Sequence, residues 1–238
     1  MFETTCKLEP SRRPQGVLFD VDGTLVDTND LHADAWRRSF LHFGFDEPVE
    51  AIRSQIGKGG DNLIPTLLPQ ADEALQEEME AFRSDLFKRE YLPRAVPFPG
   101  VRALFERLTA DGIRIVLASS SGADEVRFHL NLIACSDLVA ATTTKDDVES
   151  SKPCPDIFAA ALAKLAPLGP DEVVVVGDTP WDVKAAAKLG VATIAFRSGG
   201  FEEKVLREAG AFLLYDGPAD LLARYETSPF AAPAYAQA

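Results

Sequence analysis

The stretch that decides the fold is VLFDVDGTLVDT, residues 17–28. An apolar run ends in an acidic pair, Asp20 and Asp22, followed at once by Gly23, Thr24 and a third acid, Asp27. The run is short and apolar on successive residues, as a strand buried on both faces of a parallel sheet requires. Two carboxylates at the end of such a strand repel each other unless a cation or a proton separates them.

Downstream the chain repeats the pattern. IRIVLASS, LVAATTT, EVVVVGD, VATIAF and AFLLYDG read as strands, with helical segments VRALFERLTADG, DEVRFHLNL, PDIFAAALAKLA and DVKAAAKLG between them. Strands alternating with helices imply a parallel sheet with right-handed crossovers. Between the first strand and this series lies a block with no strand pattern. NDLHADAWRRSFLHFG, PVEAIRSQIGKGG, DNLIPTLLP and ALQEEMEAFRSDLFKREYL read as helices, the last with Leu75, Met79, Phe82 and Leu86 on one face. YLPRAVPFPG carries three prolines in ten residues and reads as a linker. The expected fold is therefore α/β: a Rossmann-like parallel sheet flanked by helices, with a small all-α cap domain inserted after the first strand. The expected division is a loose leader at 1–15, a core of 16–29 and 96–225, a helical cap at 30–95 and a flexible tail at 226–238. Loops after parallel strands surround the binding crevice, so a block inserted there sits over it as a lid.

Bulk properties exclude several classes. Acidic residues outnumber basic ones 37 to 24, a net charge of −13. Without a basic patch, that charge opposes nucleic acids and anionic membranes as partners. The IGKGG stretch fits a GXXG nucleic-acid loop only by its glycines, and its flanks are helical. A Ca²⁺ loop counted from Asp20 would need glycine and an acid where Leu25 and Leu31 stand. The three cysteines, Cys6, Cys135 and Cys154, have neither zinc spacing nor an even count. No segment has the length of a membrane helix and the start lacks an apolar signal core. A cytoplasmic protein, monomer or homodimer, is expected.

Four strand ends carry polar residues that a parallel sheet brings to one edge. They are Asp20 and Asp22; Ser119, Ser120 and Ser121; Lys152 in the SKPCPD loop; and Asp178 with Asp182. Singly, each reads as a cap, a turn residue or a surface lysine. Together they form a set suited to phosphoryl transfer. Asp20 would be the nucleophile and Asp22 the acid and base. Serine hydroxyls and a lysine would hold the phosphoryl oxygens, and Mg²⁺ would lie among carboxylates.

The segments DVDGTLVD (20–27), LAS (117–119), SKPCPD (151–156) and GDTPWD (177–182) resemble, in order, the four motifs of the haloacid dehalogenase-like hydrolase superfamily, over about residues 16–225. LHADAW and SKPCPDIF resemble its branch of phosphoglycolate phosphatase, β-phosphoglucomutase and sugar-phosphate phosphatases. The resemblance implies Asp20 as nucleophile, Asp22 as acid and base, and Ser119 and Lys152 as phosphate ligands. It implies Mg²⁺ held by Asp20, Asp22 (through its main-chain carbonyl) and Asp178, with Asp182 in or near the shell. Thr24 would orient Asp22, and His32 would touch the substrate or Asp22. Ser120 and Lys58 are further candidates for substrate contact. Members that cleave carbon–halogen or carbon–phosphorus bonds typically lack the second Asp, and this chain keeps Asp22. A Mg²⁺-dependent phosphatase of a small phosphorylated metabolite is expected. A sugar phosphomutase is the alternative, although Gly60 stands where the mutase has a cap arginine. A non-catalytic phosphoacceptor or binding protein is the reading from another class.

Overall fold

GVLF becomes β1 (Gly16–Phe19), a central strand whose four residues are all buried. The computed structural model describes residues 13–231. The main sheet has six strands, in the order β5 (Ala141–Thr143), β4 (Arg114–Ala118), β1, β6 (Val173–Gly177), β7 (Ala192–Phe196) and β8 (Leu213–Tyr215). All its pairings are parallel. Every run expected to form a strand does so.

Alternation assigns the two faces. Val17 and Phe19 of β1, with Val174 and Val176 of β6, pack with Leu104 and Phe105 of α5 (Val101–Ala110). Leu18, Val116 and Val175 face the other way, onto Phe158 of α7 (Asp156–Ala163) and Ala185 and Ala186 of α8 (Pro180–Ala187). Helix α6 (Ala123–Leu132) follows β4, and α9 (Glu203–Ala209) and α10 (Pro218–Ala223) flank β8.

The chain runs outward from β1 to β4 and β5, then returns to β6 on the other side of β1 and continues to β7 and β8. The order reverses between β1 and β6, and a crevice opens at the carboxyl ends of strands at such a point. Phe19 pairs with Val176, and the Asp20 N–H donates to the Val176 carbonyl at 2.9 Å. That register sets Asp20 beside the end of β6.

The inserted block is all helical: α1 (Asn29–His42), α2 (Val49–Arg53), α3 (Gly60–Leu67) and α4 (Glu73–Leu86). It has its own core of Ala33, Trp36, Phe40, Ile52, Leu63, Ile64 and Met79. Its edges differ from expectation. The expected helix over PVEAIRSQIGKGG stops at Arg53. After α4 the backbone continues helically through Tyr91 as a wider turn and through Arg94 as a tighter one. The proline-rich linker then forms β3 (Val96–Pro97), antiparallel to β2 (Val26–Asp27), so the two ends of the insertion are stitched together.

Both ends of the described residues are anchored, within the stretches expected to be a leader and a tail. The Gln15 N–H donates to the Glu172 carbonyl at 2.8 Å. Arg13 donates from Nε to the Phe230 carbonyl at 2.6 Å. Phe230 is fully buried and stacks on Tyr225, ring centroids 6.4 Å apart. Residues 1–12 and 232–238, the rest of the expected leader and tail, lie outside the described residues. Among the described residues, no helix is long and apolar enough to cross a membrane.

Phe230 is therefore a core residue although it stands in a stretch that reads as a frayed end. Phe230→Ala lowers the unfolding free energy by about 3 kcal/mol or more, read by denaturant titration; a loss below about 0.5 kcal/mol, the usual scatter of surface substitutions, would contradict the packing.

Candidate active site

The turn after β1 separates the acidic pair. The N–H groups of Thr24, Leu25 and Val26 all point to the Val21 carbonyl, at 3.3, 2.8 and 3.1 Å. Gly23 sits at φ +78°, and a Cβ there would lie 2.3 Å from Asp178 Oδ2, so only glycine lets this turn close on the end of β6. Asp20 and Asp22 are thus neighbours in sequence with different surroundings.

Asp20 belongs to a buried cluster with Asp178 and Asp182. Lys152, 1% exposed, donates to Asp20 Oδ1 and lies 2.7 Å from Asp182 Oδ1. The other Asp182 oxygen accepts from the Thr179 N–H at 3.0 Å and the Thr179 hydroxyl at 2.6 Å. Asp182 thereby caps α8 while it holds Lys152. Thr24, expected to orient Asp22, instead gives its hydroxyl to Asp178 Oδ1 at 2.7 Å, with Asp20 Oδ2 at 3.2 Å. Asn29 donates to the other Asp178 oxygen at 2.8 Å.

Asp22 belongs to a second network. Its Oδ1 accepts from the Thr28 hydroxyl at 2.8 Å and meets His32 Nε2 at 3.0 Å. Its Oδ2 accepts from Ser121 Oγ at 2.9 Å and Ser119 Oγ at 3.3 Å. His129 Nδ1 lies 3.7 Å from Oδ1. Arg83 donates to His32 Nδ1, and arginine is donor-only, so the His32 proton is on Nε2 and points at Asp22. Burial disfavours a charged His32 and lowers its pKa, Asp22 opposes this, and Arg83 lowers it further. Burial works to raise the Asp22 carboxyl, but His32, His129 and the hydroxyl donor Thr28 outweigh it and hold Asp22 well below the usual carboxylate range.

The first network is tuned the opposite way. Burial pushes the Asp20 carboxyl up to about 7; Lys152 pulls against this, while Asp182 and Asp22 add to it. Burial, then the charges of Asp20 and Asp182, raise Asp178 well above its ordinary range despite the bonds from Thr24 and Asn29. Burial works to lower Lys152, but Asp182 and Asp20 hold it above the usual lysine value. Three buried carboxylates therefore stand with one ammonium, which pairs with Asp20 and Asp182. Asp20, Asp178 and Asp182 offer oxygens within 4.8 Å of one another, and Mg²⁺ accepts a few carboxylates plus waters and phosphate oxygens. The donor set and its uncompensated charge fit one such ion. Asp22 is expected to reach the ion through its main-chain carbonyl, and its carboxylate stands in a separate network.

The remaining expected residues fall around the same cavity. Ser120 lines it, with Oγ 3.5 Å from the Gly57 carbonyl. Lys58 also lines it, but its ammonium is held by Gln55 at 2.7 Å and Thr66 at 3.2 Å and sits 4.1 Å over the Trp181 ring. Asn29, Thr28, His129 and Arg83 are the members that sequence reasoning missed.

Residues 17–196 match the haloacid dehalogenase-like hydrolase family. The chain belongs to that family. Among similar proteins, the tyrosine-protein kinase PtkA of Mycobacterium tuberculosis is 31% identical over 189 residues, 78% of this chain; the match spans 62% of that protein. A phosphoglycolate phosphatase of Yersinia pestis is 32% identical over 190 residues, covering 78% of this chain and 82% of the relative. The crystal structure of a hydrolase from Pseudomonas syringae superposes with a TM-score of 0.84 at 27% identity, covering 90% of this chain and 98% of that one. The buried aspartates of this haloacid dehalogenase-like hydrolase thus stand in a chain similar in sequence to a phosphatase and in fold to a hydrolase.

A carboxyl with a raised pKa keeps its proton in the folded protein where the unfolded chain has lost it. The cluster accordingly destabilises the ion-free fold as pH climbs from the ordinary carboxylate value of 3.8 through about 7. A bound dication removes that penalty and competes with the protons. Mg²⁺ therefore raises the melting temperature more at about pH 8 than at about pH 5, read by calorimetry; equal shifts at both pH values would contradict the assignment.

Proposed function

We propose that the protein is a Mg²⁺-dependent phosphatase that hydrolyses a small phosphorylated metabolite, of the phosphoglycolate or sugar-phosphate type, through a phosphoryl group carried on Asp20. The observation that carries this reading is the division of the acidic pair. Asp20 sits with Lys152 and the Asp178 and Asp182 carboxylates, whereas Asp22 sits with hydroxyls and histidines. One carboxylate is arranged to meet a phosphoryl group, and its neighbour is arranged to handle a proton.

The Asp20 carboxylate attacks phosphorus and the bond from phosphorus to the alcohol oxygen breaks. Asp22 takes up a proton as the anionic ester arrives beside it, turns from Ser121 and Thr28, and gives that proton to the leaving oxygen. Water then attacks the phosphorus of the Asp20 phosphoryl group, loses its proton to Asp22, and phosphate leaves. The donors around Asp22 stabilise the ionised form that this second step needs. Lys152 and the serine hydroxyls of the β4 loop supply positive charge and hydrogen bonds to the phosphoryl oxygens. Mg²⁺, when bound, adds neutralising charge beside those oxygens.

Hydrolysis is favoured over the mutase alternative by the cap. Where the mutase has an arginine for a distant phosphate, Gly60 brings no side chain, and a Cβ there would lie 2.4 Å from the Glu80 carboxylate. A carboxylate at that place opposes a second phosphate. A cytoplasmic setting fits the free thiols of Cys135 and Cys154.

With p-nitrophenyl phosphate and a panel of phosphorylated metabolites, Asp20→Asn abolishes Mg²⁺-dependent phosphate release while its circular dichroism matches wild type. Turnover comparable to wild type in this variant would refute the role of Asp20. Asp22→Ala slows hydrolysis of alkyl phosphates by about 10²–10⁴-fold and that of p-nitrophenyl phosphate by much less. Equal losses on good and poor leaving groups would remove the acid role.

A further inference from the structure

The stretch GKGGDN, residues 57–62, lies against the core where the inserted helices enter α3. There it meets Ser151, the residue before Lys152. Asp61 Oδ2 accepts from the Ser151 N–H at 2.9 Å. The Gly59 N–H donates to Ser151 Oγ at 2.9 Å. Asn62 Nδ2 lies 3.1 Å from both the carbonyl and the hydroxyl oxygen of Ser151. The N–H, the carbonyl and the hydroxyl of Ser151 are therefore each bonded to the insertion. Its own loop adds the Cys154 N–H on the same carbonyl, at 2.9 Å, and the Lys152 carbonyl 3.4 Å from Oγ.

The same stretch touches the other support of Lys152. A Cβ at Gly57 would lie 2.7 Å from Thr179 Cγ2. The Thr179 hydroxyl holds the Asp182 carboxylate, which pairs with Lys152. Lysine is a point charge on a flexible stem, so the place of its ammonium depends on how its backbone is held. Loop backbone with few bonds opens easily. A misplacement of about 1 Å beside a reacting group costs up to about 10²-fold in rate. Asp61 itself is exposed, and its bonds go to Ser151 and Asn62.

We propose that Asp61 and Asn62 are positioning residues for Lys152. Docked on Ser151, they fix the backbone from which the lysine reaches the phosphoryl group, so the phosphoryl site is complete only with α3 in place. This rests on the phosphatase reading and gives the insertion a part in holding phosphate. Asp61 also borders a cavity of about 150 Å³, so contact with the alcohol portion of a substrate is the competing role.

The test is the affinity for inorganic phosphate, which has no alcohol portion, titrated calorimetrically with Mg²⁺ present. Asp61→Ala weakens phosphate binding about two- to tenfold, the worth of one hydrogen bond. Asp61→Asn keeps the wild-type affinity, because its side-chain oxygen still accepts from the Ser151 N–H. Lys152→Met weakens binding about tenfold or more, as the loss of a charge-assisted bond does. In that background Asp61→Ala has no further effect, since the two act as a unit. Unchanged affinity in Asp61→Ala overturns the inference and leaves the phosphatase reading intact. An equal loss in Asp61→Asn, or a full loss that persists beside Lys152→Met, overturns it as well. The contrast of Ala with Asn at position 61 decides alone if Lys152→Met does not fold. Wild-type affinity retained in folded Lys152→Met, or no phosphate binding by the wild-type protein, overturns the inference and the phosphatase reading together.

Discussion

Everything around the crevice depends on one constraint: three buried carboxylates lie together beside a single buried ammonium, which pairs with only two of them. Asp20, Asp178 and Asp182 are each 5% exposed or less, and Lys152 is 1% exposed. Buried charges are stable only when paired and hydrogen-bonded, and here one lysine lies among three acids. The fold meets part of the demand with Thr24, Asn29 and Thr179 as donors. What is left is negative charge, held where β1 and β6 end side by side. A site made this way is suited to a dication, because its own ionisation is disfavoured without one.

Two residues along the chain, Asp22 escapes that constraint. The turn through Gly23 aims it at Thr28, His32, Ser119 and Ser121 instead. Two of these come from the stretch that opens the inserted helices, and Arg83 of α4 stands behind His32. The acidic pair is therefore wired to different bodies, Asp20 to the sheet and Asp22 partly to the insertion. The β2–β3 stitch closes the base of the insertion, and α1 and α4 reach Asp22 through His32 and, behind it, Arg83.

Much of this was legible in the chain. Runs such as VVVV at 173–176 have one stable home in a parallel sheet, and strand order then carries the polar residues after them to one edge. What was not legible came from short or distant pairings. Strands of two residues have no periodicity, so nothing in the sequence marks β2, and β3 lies in the proline-rich stretch that reads as a linker. Thr24 lies two residues from Asp22 in sequence, yet a tight turn gives its hydroxyl to Asp178, 154 residues away. Asn29 reads as a capping residue, and Arg83 reads as one more charge on an amphipathic helix until α1 and α4 are set side by side. Phe230 lies in a proline- and alanine-rich ending that carries no pattern, and only the packing shows that it fills the core.

The central claim is that Asp20 is the atom source of the new bond to phosphorus. Acid quenching of the wild-type protein during turnover of p-nitrophenyl phosphate with Mg²⁺, followed by peptide mass spectrometry, tests it most directly. The account predicts one added phosphoryl group on the peptide that contains Asp20, lost on treatment with hydroxylamine. Phosphate release at full rate with the phosphoryl group found on another residue would contradict it.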